Sequence, residues 1–277
     1  MPHLLEGLGL SDLIAMIVLG VLEGVTEFLP ISSTGHLILA SEALGQASVG
    51  AVTEIVIQLG AVAAVVWFYR GDLVTRVRAL RSEDRDTGFW WRLAVAALPA
   101  AIVGFALGDL ITSHLFEPVV VAMAMIVGGF VLWLVDRYLP ERSGPPATRG
   151  IDAMSLRQAL VIGSIQLVAL IPGTSRSASS IVGGLLVGLD RPTATAFSFY
   201  LAIPTLGGAT LYALLKNLGP LLEDGSLALL AVGVATAFAT ALIAIRWLLR
   251  YVSHHDFRYF ALYRVVVGVA ILVIIRP

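Results

Sequence analysis

Three apolar runs, Ala51–Tyr69, Phe89–Leu107 and Pro118–Val135, follow one another across short polar connections. Each is near the roughly twenty residues that a helix needs to cross a hydrocarbon core of about 30 Å. The pattern recurs in the second half over Ala194–Leu215, Leu227–Leu248 and Phe260–Ile275. A chain so built is an all-α polytopic membrane protein. Its 277 residues are 58% hydrophobic and 13% charged, too apolar a mixture for a soluble domain of this length. The formal charge of −1 argues against a nucleic-acid partner. The absence of cysteine excludes a thiolate nucleophile, a disulfide framework and a cysteine-ligated metal. The first residues, MPHLLEGLGLSD, carry no basic stretch and no cleavage pattern, so no signal peptide is expected and the chain inserts through its own helices.

The basic residues predict the orientation. All eighteen except Lys216 are Arg. Arg70, Arg76, Arg78, Arg81 and Arg85 follow the first run, Arg137, Arg142 and Arg149 follow the third, and the Arg246 to Arg258 turn lies between the last two. By the positive-inside rule these connections face the cytoplasm. The segment from Asp109 to Glu117 has neither Lys nor Arg and faces outside. Three crossings is an odd number, so whatever precedes each triplet enters from opposite sides of the membrane.

Ahead of each triplet stands a shorter, broken apolar pair. Leu13–Leu22 is interrupted by Glu23 and stopped by Pro30, because the residue before a proline is driven out of the helical region, and a second short piece runs from His36 to about Leu44. After Asp152 the same design returns as Leu156–Ile171, the turn PGTSRSASS, and Ile181–Leu189. Non-helical backbone at membrane depth is tolerated only where protein or a wet cavity surrounds it. The expected architecture is therefore six transmembrane helices plus two re-entrant helical hairpins, arranged as an inverted-topology repeat. The first repeat covers 1–140 with its hairpin at about 11–45, a cytoplasmic linker covers 141–154, and the second repeat covers 155–277 with its hairpin at about 155–190. Aligning Pro30-Ile-Ser-Ser-Thr with Pro172-Gly-Thr-Ser-Arg pairs the two hairpin tips and brings two half-helix N-termini to one cavity near the midplane.

Chemistry is expected at those tips, because an ionisable group inside an apolar segment is costly and marks a functional site by default. Glu23 and Glu27 lie four residues apart on one helical face, and two carboxylates at low dielectric need a divalent cation, an Arg or a shared proton. Ser32, Ser33 and Thr34 follow the proline and precede a helix. They can serve as an N-cap, or they can hold a phosphate among backbone N–H groups and offer it a nucleophilic hydroxyl. His36, one turn on, is a candidate acid, base or nucleophile. Arg176, between Ser175 and Ser177, is read as the only Arg deep in the membrane, with a guanidinium fork suited to phosphate and Glu27 as its structural partner. His254 and His255 are read as solvated, and Glu54, Gln58 and Gln166 as polar contacts between helices.

The stretches EGVTEFLPISSTGHL and PGTSRS closely resemble the signature of the undecaprenyl-diphosphate phosphatase family, also called bacitracin resistance proteins, and the resemblance covers nearly the whole chain. Glu23, Glu27, Ser32, Ser33, Thr34, Gly35 and His36 match the first motif. Pro172, Gly173, Ser175, Arg176 and Ser177 match the second, with Ala178 where the family often has Gly. The resemblance implies removal of the terminal phosphate from undecaprenyl diphosphate for reuse of the carrier in peptidoglycan synthesis, with dependence on Mg²⁺ or Ca²⁺. It also implies a site opening to the outer face of the bacterial plasma membrane. On this reading Glu23 and Glu27 are catalytic and hold the metal, and Ser33, His36 and Arg176 are catalytic. Ser32, Thr34, Gly35, Gly173, Thr174, Ser175 and Ser177 bind substrate. The attacking group is Ser33, His36 or water. A second copy of the chain is a further candidate partner. The competing function is a secondary transporter or flippase of the carrier lipid, alone or combined with hydrolysis, since inverted repeats with broken helices are also a transporter design.

Overall fold

The computed structural model describes residues 10–43, 51–81, 87–139, 150–217, 219 and 227–275. Arg85, Arg142, Arg149 and most of the expected 141–154 linker lie outside the described residues, as does the side chain of Glu54. All the described elements are helical. The first half holds α1 (Leu10–Thr26), α2 (Ser33–Ala43), α3 (Ala51–Phe68), α4 (Arg70–Ala79), α5 (Gly88–Leu115) and α6 (Pro118–Tyr138). A short 3-10 turn, Ile151–Ala153, leads into α7 (Leu156–Gln166), whose end tightens into a second 3-10 turn, Leu167–Leu170. Then come α8 (Arg176–Leu186), α9 (Arg191–Lys216), α10 (Leu227–Val252) and α11 (Arg258–Ile274).

The chain is a multi-pass membrane protein. Among the described residues four helices are long and apolar enough to cross a bilayer, namely α5 over Gly88–Gly108, α6, α9 and α10, and α3 with α4 makes a fifth if that bent pair is one span. α1, 17 residues long, ends at Thr26 ahead of the turn that carries Pro30. The break after Thr26 and the break between α7 and α8 fall where the two prolines predict them.

One expectation is corrected. The connection after Phe68 begins as helix α4, set at 66° to α3, where a basic loop was expected. Counting arginines tells which side of the membrane a segment occupies, not what it folds into. Here Asp72 and Arg76 form an i,i+4 ion pair at 2.7 Å, which supports a helical turn, and Tyr200 Oη on α9 donates to the same Asp72 Oδ2 at 2.6 Å. Arg76 also reaches Asp152 Oδ1 at 2.8 Å, so α4 is stapled to the segment that opens the second half. That hydrogen bond holds the Asp152 carboxyl below the usual carboxylate range, against an opposing contribution from partial burial and with help from the Arg76 and Arg92 charges.

Helices from one half pack on helices from the other. α1 lies on α10, and α7 lies on α5. α6 pairs with α11, and α3 with α9. Close approach depends on small residues, as it must where lipid removes any hydrophobic drive between helices. A Cβ on Gly24 of α1 would stand 2.1 Å from Thr240 Oγ1 of α10, and one on Gly163 of α7 would stand 2.1 Å from the Ala96 carbonyl of α5. Asp136, buried at the end of α6, accepts from Arg191 Nε at 3.0 Å and from the Phe257 N–H at 2.9 Å, fixing the starts of α9 and α11. This framework holds the α1–α2 and α7–α8 tips against each other.

Candidate active site

Each tip is a turn followed by an 11-residue helix, and each turn contains a strained serine. Ser32, just before α2, has φ 73°, and Ser175, just before α8, has φ 72°; both lie in the left-handed region that ordinary side chains avoid, at a cost of about 1–3 kcal/mol apiece. Ser175 caps α8 by accepting from the Ala178 N–H at 3.2 Å. Gly173 has φ 91°, and a Cβ there would stand 2.3 Å from the Val121 carbonyl, so only glycine fits. Matching the strained serines pairs Ser32 with Ser175 and Ser33 with Arg176. That register is one residue away from the match made on the prolines, because the second turn is one residue longer between proline and helix.

The tips meet directly. Ser177 Oγ donates to the Leu29 carbonyl at 2.9 Å, and Arg176 Nη2 lies 3.2 Å from Glu27 Oε1. Glu27 is 6% exposed, and its other oxygen, Oε2, accepts from Ser33 Oγ at 2.7 Å. Arg176 Nη1 donates to the Ser198 carbonyl at 2.8 Å, and Ser180 Oγ donates to Ser198 Oγ at 2.7 Å, so α9 holds the guanidinium from behind. The Arg176 guanidinium also lies over the Phe28 ring at 5.7 Å. Between the tips opens a cavity of about 140 Å³, room for a phosphate group and water when one water occupies about 30 Å³. Glu27, Ser32, Ser33, Thr34, Gly173, Ser175 and Arg176 line it together with Gln58, Ala169, Pro172 and Leu206.

Five of the expected site residues sit behind this wall. Glu23 is fully buried on α1, one turn before Glu27, whose N–H bonds its carbonyl at 2.9 Å. Gly35 packs against Met125, the Thr174 carbonyl accepts from Arg264, and Ser177 is spent on Leu29. His36 is buried with both ring nitrogens occupied: Nδ1 lies 2.7 Å from the Ser32 carbonyl and Nε2 lies 2.8 Å from Tyr263 Oη, whose ring stacks on the imidazole. A carbonyl only accepts, so Nδ1 carries the proton and Nε2 takes the phenol hydrogen. The imidazole braces the strained Ser32 peptide and presents no free lone pair to the cavity.

Four residues were missed or misjudged from sequence. Arg176 is not the only deep arginine: Arg264 on α11 is fully buried and donates to carbonyls of both tips. Its charge stands within the apolar run Phe260–Ile275, whose length and hydropathy read from sequence only as a span. Tyr263 beside it was missed for the same reason. Gln58 lines the cavity, where a contact between helices was expected. Ser198 had no signal, since one serine in an apolar helix is commonplace.

Among the described residues, no group of three or more His, Cys, Asp or Glu is placed to hold a metal ion. Glu27 and Ser33 bring oxygen donors to the cavity wall, and Glu23 adds a second carboxylate one turn behind it, donors of the type that a hard divalent cation takes.

The chain is similar to known proteins over nearly its whole length. The family model described as bacitracin resistance protein BacA matches residues 16–270. A protein of Dechloromonas aromatica named undecaprenyl-diphosphatase is 50% identical over 261 residues, covering 94% of this chain and 93% of that protein. One of the same name from Deinococcus radiodurans is 47% identical over 268 residues, covering 95% and 96%. The undecaprenyl-diphosphatase 2 of Rhodospirillum rubrum is 49% identical over 266 residues, covering 94% and 95%.

Proposed function

Because the chain belongs to the bacitracin resistance protein BacA family, we propose that it is an integral-membrane undecaprenyl-diphosphate phosphatase. It hydrolyses the carrier diphosphate to undecaprenyl phosphate and inorganic phosphate, recycling the carrier for peptidoglycan synthesis and conferring bacitracin resistance. The observation that carries this reading is the junction of the tips, where one buried carboxylate, Glu27, accepts from the Ser33 hydroxyl and from the Arg176 guanidinium at the wall of a phosphate-sized cavity.

The mechanism follows from those contacts. Arg176 and the N-termini of α2 and α8 bind the diphosphate and stabilise charge on the transferred phosphoryl. Ser33 Oγ attacks the terminal phosphorus, its proton passes to Glu27, and the bridging P–O bond breaks with its electron pair leaving on the lipid phosphate. Water then displaces the phosphoryl group from Oγ, Glu27 returns the proton to Ser33, and phosphate departs. Glu23 and Glu27 would hold Mg²⁺ or Ca²⁺, which when bound neutralises phosphate charge. His36 positions Ser32 and so the start of α2. The imidazole is a weaker nucleophile candidate because both nitrogens are engaged away from the cavity.

The membrane arrangement supported by the charge pattern is six spans, α3, α5, α6, α9, α10 and α11, with α1–α2 and α7–α8 as re-entrant hairpins in inverted repeats. The exchange of partners between halves supports the repeat, and the arginines of α4 and of the α10–α11 turn support a cytoplasmic location for those ends. The site then opens outward. Hydrolysis is favoured over transport because the similar proteins are named undecaprenyl-diphosphatase.

The test is phosphate release from a prenyl diphosphate by the purified protein in detergent, with and without chelator and beside Arg176→Ala. Chelator-sensitive release that the variant lacks is expected, with a phosphoserine at Ser33 on acid quench. Folded protein that releases no phosphate with Mg²⁺ or Ca²⁺ present would sink the proposal. Release without a trapped phosphoserine would favour direct attack by water.

A further inference from the structure

Arg264 is among the largest fully buried side chains of the protein, and among the described residues no salt bridge with a carboxylate compensates it. Its guanidinium donates instead to main-chain carbonyls on three elements. Nη1 reaches Pro30 O in the first tip at 3.3 Å. Nη2 reaches Gly173 O and Thr174 O in the second tip at 3.2 and 2.8 Å, and Ala124 O of α6 at 3.3 Å. Nε reaches Met125 O at 3.3 Å. Removing such a charge from water is costly, and carbonyl dipoles offset this only when the fork meets them in a fixed arrangement.

The chain has also made a seat for it. A Cβ on Gly128 of α6 would lie 2.2 Å from Arg264 Nη2, so that glycine leaves the space the guanidinium fills. The carbonyls it gathers belong to the two turns that lead into Ser33 and into the Ser175–Arg176 corner. In a trans peptide the C=O and N–H point opposite ways. Drawing Thr174 O toward Arg264 therefore turns the Ser175 N–H to the far side. Arg264 lies behind the site and not in its wall.

Resting on the diphosphatase reading above, we infer that Arg264 is a positioning residue of the reaction. By holding Pro30, Gly173 and Thr174 to one planar cation, it sets the two tips relative to each other, so that the Ser33 hydroxyl and the Ser175–Arg176 corner meet the same diphosphate. Lysine keeps the charge but not the fork, and it cannot serve both turns at once.

The experiment compares wild type, Arg264→Lys, Gly128→Ala and the double variant by steady-state phosphate release from a prenyl diphosphate, with kcat taken per folded protein. Inhibition by inorganic phosphate is measured alongside. A misplacement of about 1 Å between reacting groups lowers rate by about a hundredfold. That loss is expected in kcat for both single variants, with KM and phosphate inhibition moved only a few-fold. The double variant is expected to be no worse than the single ones, because both changes disturb one arrangement. A residue that only stabilised the fold would lower thermal stability and yield and leave kcat per folded molecule unchanged. Near-wild-type kcat in folded Arg264→Lys would overturn the inference, and so would failure of both single variants to fold. A wild type that releases no phosphate would refute the diphosphatase reading instead.

Discussion

On the proposed mechanism Glu27 is the base, and replacing it by Gln separates that role from the scaffold at the centre of the site. The carboxylate accepts from Ser33 Oγ on one oxygen at 2.7 Å and from Arg176 Nη2 on the other at 3.2 Å. An amide has a single accepting oxygen. The guanidinium, which only donates, claims it, and the amide N–H turns to Ser33 and makes the hydroxyl an acceptor. The attacking oxygen then has no carboxylate to receive its proton. Loss of a general base lowers rate by about 10²–10⁴, which is about 3–5 kcal/mol of barrier. Breaking the charge pair at Arg176 removes stability of similar size, about 3–5 kcal/mol, so activity is normalised to folded protein by gel filtration and circular dichroism. In phosphate release from a prenyl diphosphate, Glu27→Gln is expected to lose at least about a hundredfold in kcat. His36→Asn, which removes a brace and not the base, is expected to lose less. A Glu27→Gln enzyme with near-normal kcat beside an inactive His36→Asn enzyme would refute this reasoning and return the imidazole to the role of base.

Gly173→Ala is expected to reduce folded yield sharply, since its Cβ would meet the Val121 main chain at 2.3 Å and its φ of 91° strains any side chain. Gly35→Ala is expected to be milder, because its Cβ meets the Met125 thioether, which can swing aside; thermal melts of the two variants in detergent check the order. Asp152→Asn removes the partner of Arg76. The native carboxyl titrates below its ordinary value, so the pair's contribution is complete above the unfolded pKa of roughly 4 and fades as pH falls through the lower native value. With the Asp152 side chain 61% exposed, solvent screening limits the effect to about 1 kcal/mol or less. The melting difference from wild type is expected at neutral pH and absent under strongly acidic conditions, and a difference that grows on acidification would contradict the pairing.

The apolar runs and the two prolines carried most of the architecture, because span length and helix termination are local properties that a sequence displays directly. The site's principal contacts were legible for a related reason. Glu27 and Arg176 are charges that an apolar segment does not tolerate without a partner, and each is the other's partner across the two tips. Arg264 obeyed the same rule and was still overlooked, since a span of matching length absorbed it. Contacts that depend on the third dimension were not legible. Nothing in the order of residues announces that Ser198 stands behind Arg176, that Tyr263 occupies His36, or that the basic stretch after Phe68 coils into α4 through Asp72 and Tyr200. The helical partner of a polar residue is set by which helices meet, and that follows from glycine notches such as Gly24 and Gly163, whose meaning appears only when the facing helix is known.

The strained serines say something about why the site has two unlike halves. Ser33 and Arg176 occupy the same place in their hairpins, each the first helical residue after a serine held at positive φ. One position became a hydroxyl bonded to a carboxylate, and its counterpart became the cation that binds the same carboxylate from the other side. A terminal phosphoryl and the phosphate it leaves are likewise alike in shape and unlike in role: one must be attacked while the other is held and its charge stabilised. On the proposed mechanism the two turns, facing each other across a cavity of about 140 Å³, divide these tasks, and the side chain at the matched position, Ser33 or Arg176, decides which task each turn performs. Exchanging Ser33 and Arg176 would keep the composition of the site intact and is expected to abolish turnover. The hydroxyl would then leave Glu27's Oε2 and the guanidinium would leave Ser198, so neither turn could do the other's work.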